Sequence, residues 1–265
     1  MSGALALVTG AGRGIGAAAV AALTSAGWKV LAVDRGSDDP RLPYSLSSAA
    51  ELDQVVADAN ERAEEARAFA QLADVADLAA LDAAVARAEE LGEVRAIVAN
   101  AGVIAGGPPA WELNLEQEQA VLDVCLGGVI NTARAGVPAL LRQPTPRQGR
   151  FVATASAASA RGLPGLAAYC AAKSGVAGFV RALAADLRGT GVTANAVAPG
   201  STDTPILAES ARLYGLESPE EFAAQVPLER LLEPGEPSGM IAWLLGPDAA
   251  GVTGAVLPVD AGLTI

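Results

Sequence analysis

A phenol, an ammonium and a hydroxyl are spaced in this chain as a proton-transfer site requires. Tyr169 and Lys173 lie four residues apart, so a helix through them presents both side chains on one face. Ser156 precedes Tyr169 by thirteen residues, just after the run RFVATA at 150–155, which reads as a buried strand. A free phenol, with a pKa of about 10, is a poor acid-base at neutral pH, and a nearby ammonium should favour its phenolate. A serine hydroxyl can hydrogen-bond a substrate oxygen while charge builds on it. Of the 18 basic residues, only Lys29 and Lys173 are lysines. A chain that uses arginine almost everywhere keeps, four residues after Tyr169, the compact ammonium suited to a ribose hydroxyl and a phenolate together.

Composition narrows the alternatives. The 265 residues include 51% hydrophobic and only 4% aromatic side chains, so the core must be aliphatic and rich in alanine. A net charge of −12 suits neither nucleic acid nor an anionic membrane as a partner. The chain has no histidine and two cysteines. That excludes a Ser-His-Asp triad and a His-based metal site, and leaves a disulfide scaffold without support; no metal is expected. No signal peptide is recognised before the first strand, and no apolar run of spanning length is free of Gly and polar breaks. The cytoplasm is the expected location.

The elements that must position the site begin at the N-terminus. An apolar strand at 4–8 leads into Thr9-Gly10-Ala11-Gly12-Arg13-Gly14-Ile15-Gly16 and then an Ala-rich helix. Strand, glycine turn and helix N-terminus together make a cradle for a pyrophosphate. A second strand at 28–33 ends at Asp34, whose carboxylate suits the adenosine ribose hydroxyls and repels a 2′-phosphate, favouring NAD. Arg13 and Arg35 pull the other way, since both have the charge to face such a phosphate. Further strands are expected at 68–72, 94–99, 192–197 and 255–259, and helices at 49–67, 78–91 and 117–141. Alternating strands and helices give an α/β fold, a parallel doubly wound sheet of about seven strands with helices on both faces.

The pattern T-G-x-x-x-G-x-G at 9–16, with Ser156 and Tyr169-x-x-x-Lys173, resembles the short-chain dehydrogenase/reductase family. Asp74-Val75, Asn100-Ala101-Gly102, Asn195, Pro199-Gly200 with Thr202 and Thr204, and Val259-Asp260-Ala261-Gly262 extend the match across the chain. The resemblance implies a single Rossmann domain over 1–265, hydride transfer with a nicotinamide cofactor, and a homotetramer. It implies that Gly10, Gly12, Arg13, Gly14, Ile15 and Gly16 cradle the cofactor, with Asp34 and Arg35 at the ribose and Asp74 and Val75 by the adenine. Asn100, Ala101 and Gly102 would back it, and Pro199, Gly200, Thr202 and Thr204 would flank the nicotinamide. Tyr169 would be the acid-base, Ser156 would position the substrate oxygen, and Lys173 would hold the ribose and depress the tyrosine pKa.

Two features depart from the family pattern. Where the family usually has an asparagine in the long helix, supporting a kink and a water, this chain has Cys125 within VCLGG. A thiol is a weak hydrogen-bond partner, so the proton relay is in question, and Asn131 lies about 240° further round the helix. Second, about forty residues separate Asp34 from Asp74, giving an insertion at about 36–66. Gly36 to Ser48 reads as a loop, followed by an amphipathic helix capped by Ser48 with Leu52, Val55, Val56 and Ala59 on one face. With Pro43-Tyr44-Ser45-Leu46, this insertion resembles the mycofactocin-associated branch, which implies NAD that does not exchange freely and a separate mycofactocin-type redox carrier. A tolerated surface insertion is the plainer account. The apolar stretch at about 202–226 reads as a lid over an apolar alcohol or carbonyl substrate, such as a terpenoid, or as an oligomer contact. A 3-oxoacyl-thioester reductase with exchangeable cofactor, and a non-catalytic NAD sensor, are the competing functions.

Overall fold

A computed structural model of the chain describes residues 4–61, 65 and 67–265. Seven strands, β1 (Ala4–Thr9), β2 (Lys29–Asp34), β3 (Ala68–Leu72), β4 (Glu93–Ala99), β5 (Arg150–Thr154), β6 (Thr193–Pro199) and β7 (Val256–Val259), form one parallel sheet in the order β3-β2-β1-β4-β5-β6-β7. Successive side chains of a strand point to opposite faces. Both faces of β1 are therefore apolar: Leu5 and Leu7 enter one core with Ile97 and Phe151, and Ala4, Ala6 and Val8 enter the other with Val20 and Leu23. Helices α1 (Gly14–Ser25), α2 (Ala49–Glu61) and α8 (Gly235–Leu245) cover the second face. The first face carries α3 (Leu78–Leu91), α4 (Leu115–Leu122), α5 (Gly128–Arg142) and α6 (Ala167–Asp186). The strand order reverses between β1 and β4, so the crevice for a ligand opens at the carboxyl ends of these strands.

The single helix expected at 117–141 is interrupted. A π turn, Asp123–Gly127, separates α4 from α5, and the Gly128 N–H bonds the Asp123 carbonyl one residue beyond its α-helical partner. The span Leu115–Arg142 is long and apolar enough to cross a membrane by composition, yet 61% of its most apolar window is buried, because its apolar side packs on the sheet.

Of the helix expected at 49–67, Ala49–Glu61 is described; residues 62–64 and 66 of that span lie outside the described residues. Asn60 turns the chain toward β3, its Oδ1 accepting from the N–H groups of Arg67 (2.8 Å) and Ala68 (2.9 Å). The start is as expected. Ser48 and Glu51 form a capping box, with Ser48 Oγ accepting from the Glu51 N–H at 3.2 Å and Glu51 Oε2 accepting from the Ser48 N–H at 2.7 Å. After β6, α7 (Pro205–Tyr214) and a 3-10 turn (Pro219–Gln225) build a small core of Leu207, Ala211 and Phe222.

Candidate active site

The glycine turn after β1 takes its shape from positive backbone angles. Gly10 has φ +66° and Gly14 φ +57°, and a Cβ on Gly10 would lie 2.6 Å from the Ala101 Cα. Asn100 ties this turn to the sheet: its Nδ2 donates to the Thr9 and Gly10 carbonyls at 3.1 Å each, and Thr154 Oγ1 donates to its Oδ1 at 3.0 Å. Helix α1 begins at Gly14 with no side-chain cap from Arg13 and no acid in its first turn. Its leading N–H groups and positive dipole end thus face the cleft with no side-chain acceptor among the described residues, which fits a pyrophosphate.

Asp34, at the end of β2, is a crossing point. Its Oδ2 accepts from the Gly12 N–H at 2.8 Å and its Oδ1 from the Ser47 hydroxyl at 2.5 Å. Arg35 does not stand free for a 2′-phosphate. Its guanidinium pairs with Asp39 at 2.9 Å and Asp74 at 3.4 Å.

The segment 36–48 crosses the cleft as a strap. Leu46 and Ser47 line the cleft together with Gly10, Gly14, Asp74, Asn100, Tyr169 and Lys173. Beyond the Ser47 anchor, Tyr44 Oη accepts from the Ile104 N–H at 2.9 Å, and Arg41 pairs with Asp123 of the π turn at 2.7 Å. Arg41 also bonds the buried Asp39 and, with help from Arg35, holds its carboxyl far below the usual carboxylate range. Burial pushes the Tyr44 phenol up.

Ser156 follows β5, and α6 carries Tyr169 and Lys173; all three line the same cleft. Lys173 Nζ donates to the Thr154 carbonyl at 2.8 Å and sits 5.7 Å from the centre of the Tyr169 ring. The expected depression of the tyrosine pKa is not found in the chain alone. Burial pushes the Tyr169 phenol up, with nearby Cys125 adding to the rise and the Ser156 hydroxyl opposing it. Burial also lowers the Lys173 ammonium. The reason is desolvation: at this separation, loss of water from both charged forms outweighs their attraction.

Cys125 is a better partner than its chemistry suggests. Its Sγ accepts from the Val103 N–H at 3.3 Å and donates to the Val103 carbonyl at 3.1 Å, in full burial. The break in the helix persists with a thiol at its centre. Asn131 lies elsewhere, donating to the Val75 carbonyl at 3.1 Å.

A second cavity of about 420 Å³ adjoins the cleft, sharing Ser156, Tyr169, Pro199, Gly200 and Ile206 with it. Its walls include Ile104, Leu163, Leu166, Leu207, Tyr214 and Phe222, the last three from the stretch 202–226. Tyr214 holds α7 over it by donating to the Pro164 carbonyl at 2.8 Å.

The cofactor residues expected from sequence converge on the cleft with three differences. Thr202, buried and donating to the Gly200 carbonyl, lines the second cavity instead. Gly12 and Gly16 pack behind the cleft, where a Cβ on Gly12 would meet Ser47 and Asp34. Sequence reading missed Ser47, Ile104 and Val124 in these walls and the anchoring role of Arg41. The only local sign was the Pro43-Tyr44-Ser45-Leu46 tract in an otherwise loop-like run.

Residues 4–214 match the short chain dehydrogenase family. The (-)-trans-carveol dehydrogenase of Rhodococcus erythropolis is 34% identical, the match covering 100% of this chain and 99% of that protein. A 3-oxoacyl-[acyl-carrier-protein] reductase of Synechocystis is 35% identical over 98% of this chain and 97% of its own. The crystal structure of a carveol dehydrogenase from Mycobacterium avium in complex with NAD superposes with a TM-score of 0.91 at 32% identity, covering 99% of this chain and 98% of that one. With its glycine turn, its carboxylate at the end of β2 and its Ser156, Tyr169 and Lys173 around one cleft, the chain belongs to the short-chain dehydrogenase family as an NAD-dependent oxidoreductase.

Proposed function

We propose that the protein interconverts an apolar secondary alcohol and its ketone, on NAD held under the 36–48 strap and reoxidised by a separate mycofactocin-type carrier. The observation that carries this reading is the strap itself. Its three anchors, Ser47 on Asp34, Tyr44 on Ile104 and Arg41 on Asp123, span the cleft from its ribose end to the π turn. A tolerated surface insertion has no need to bury a phenol and a carboxylate against the site.

The glycine turn and Asp34 would hold NAD, which would supply the hydride acceptor. In the oxidation direction, the Tyr169 phenolate takes the hydroxyl proton while the carbinol carbon gives up its hydride. Ser156 orients the substrate oxygen, and Lys173, held by the Thr154 carbonyl, faces the cleft as a fixed donor for a ribose hydroxyl. The apolar second cavity takes the body of the alcohol, in keeping with the carveol activity named for two relatives. Exposed Trp243 and Leu228 supply apolar surface for a homotetramer, and the cytoplasm is the proposed setting.

The test uses protein purified without added cofactor. Nucleotide is extracted and identified, and an apolar secondary alcohol is offered with and without added NAD. One equivalent of bound NAD reduced, with no steady turnover on excess NAD, is the expected result. Steady turnover on added NAD would overturn the trapped cofactor and leave an ordinary reductase, such as one acting on 3-oxoacyl thioesters. Tyr169→Phe should lower the single-turnover rate by about 10²–10⁴-fold while NAD stays bound; an unchanged rate would favour a sensor without chemistry at Tyr169.

A further inference from the structure

We infer that the substrate carries an anionic group, as a cyclic or branched hydroxy acid or its keto acid does, and that Arg161 holds that anion at the wall of the second cavity. The inference rests on the dehydrogenase reading and revises its substrate to an alcohol with an apolar body and one charged end.

Among the described residues lining that cavity, Arg161 is the sole charged side chain, set against apolar walls that include Leu163, Leu166, Leu207 and Phe222. Arg161 has no ion pair among the described residues. What sets it apart is its place in that wall, since several other described arginines, such as Arg134 and Arg181, also lack an ion pair among the described residues.

The guanidinium is oriented even so. Its Nη1 donates to the Leu263 carbonyl at 3.1 Å. That carbonyl belongs to a turn closed by Asp260, which accepts from the N–H groups of Gly262 and Thr264 at 3.0 Å each. One edge of the planar group is thereby used, while Nε and Nη2 have no protein acceptor among the described residues. Two parallel donors in a fixed fork match a carboxylate bidentately.

Arg161 also shares its wall with the reacting groups. Its N–H bonds the Ala157 carbonyl at 3.0 Å in the turn that follows Ser156, and Ser156 and Tyr169 line the same cavity. A molecule with its hydroxyl at Tyr169 and its body against the apolar wall thus meets one cation. The overall charge of −12 opposes an anion at long range, but at physiological salt that field is screened beyond about 8 Å, so the direct contact decides. Arg161 is exposed, and that contact is weakened by water and salt as well.

The experiment compares a carboxylate with a neutral isostere in NAD-loaded protein at physiological salt. Binding of cyclohexanecarboxylate and of cyclohexanecarboxamide is measured by calorimetry in wild type, Arg161→Ala and Arg161→Lys. Reduction of bound NAD by 4-hydroxycyclohexanecarboxylate and by its methyl ester is followed in a single turnover. The acid should bind several-fold more tightly than the amide, Arg161→Ala should abolish that ratio, and Arg161→Lys should keep part of it. The turnover rates should rank acid over ester in wild type and lose that ranking in Arg161→Ala. Equal binding of acid and amide, no binding of the acid, or a ratio that survives Arg161→Ala would overturn the anion site. Acid-selective binding without reduction of the cofactor by any alcohol would instead count against the dehydrogenase reading and leave the anion site standing.

Discussion

Lys173 gives a hydrogen bond to Thr154, and the neighbouring Tyr169 keeps its proton because burial makes the phenolate expensive in free energy. Oxidation of an alcohol needs that phenolate, so its rate should climb with pH. Below the raised pKa the phenolate fraction grows about tenfold per pH unit; single-turnover oxidation should rise steadily from about pH 7 to about pH 10, and ketone reduction should not. Burial raises Tyr44 in the same way. Phenols that hold protons more tightly folded than unfolded add stability that is full below about pH 10 and is lost above it; Lys173, lowered by burial, has the opposite effect only up to about pH 10.4. Urea unfolding across this range should therefore show stability falling above about pH 10.5. At Cys125 the thiol serves both polar groups of Val103. Cys125→Ala leaves a buried N–H and carbonyl unpartnered and should destabilise the protein by about 1–2 kcal/mol, read as a lower urea midpoint, with Cys125→Ser recovering part of it.

At the scale of elements, the strap is held by side chains rather than by a sheet or helix ladder. Its ion pair from Arg41 to Asp123 joins it to the π turn that also carries Cys125. Asp39, depressed by Arg41, stays ionised well below the ordinary carboxylate range, so this anchor should survive mild acid and weaken only when Asp39 and Asp123 take up protons. Arg41→Ala removes the anchor without touching the reacting groups. Exchange of bound NAD with labelled NAD should quicken several-fold, up to about tenfold since the pair is partly exposed, with the single-turnover rate little changed. An unaltered exchange rate would mean that the strap does not hold the cofactor. Sequence reading marked the 36–48 insertion and the kink position at Cys125, but not the strap's anchors, because no local periodicity records Arg41 meeting Asp123 or Ser47 meeting Asp34.

Across the whole molecule, both cores are largely aliphatic, with Phe151 in one and Trp28 in the other, and the sheet ends in β7 beside α8. Trp243 on α8 is 43% exposed there. If the proposed tetramer forms along this edge, Trp243→Glu should bury an unpaired carboxylate in the contact. Light scattering should then report a mass below four chains, with the described cleft intact.

Strand positions, the glycine turn and the partnership of Ser156, Tyr169 and Lys173 were legible in the sequence, because they depend on hydrophobic period, glycine freedom and helical spacing, all local properties. The capping box at Ser48 and Glu51 is local as well, and it formed where Ser48 marked the helix start. Tertiary structure alone decided the protonation of Tyr169, since desolvation depends on everything packed around a phenol and not on the lysine four residues away. It decided too that Arg35 is paired, that Thr202 turns to the second cavity, and that Arg161 is the charge in that cavity's wall. Each of these rests on contacts between residues distant in sequence, where Coulomb energy and solvent exclusion are set by the folded shape.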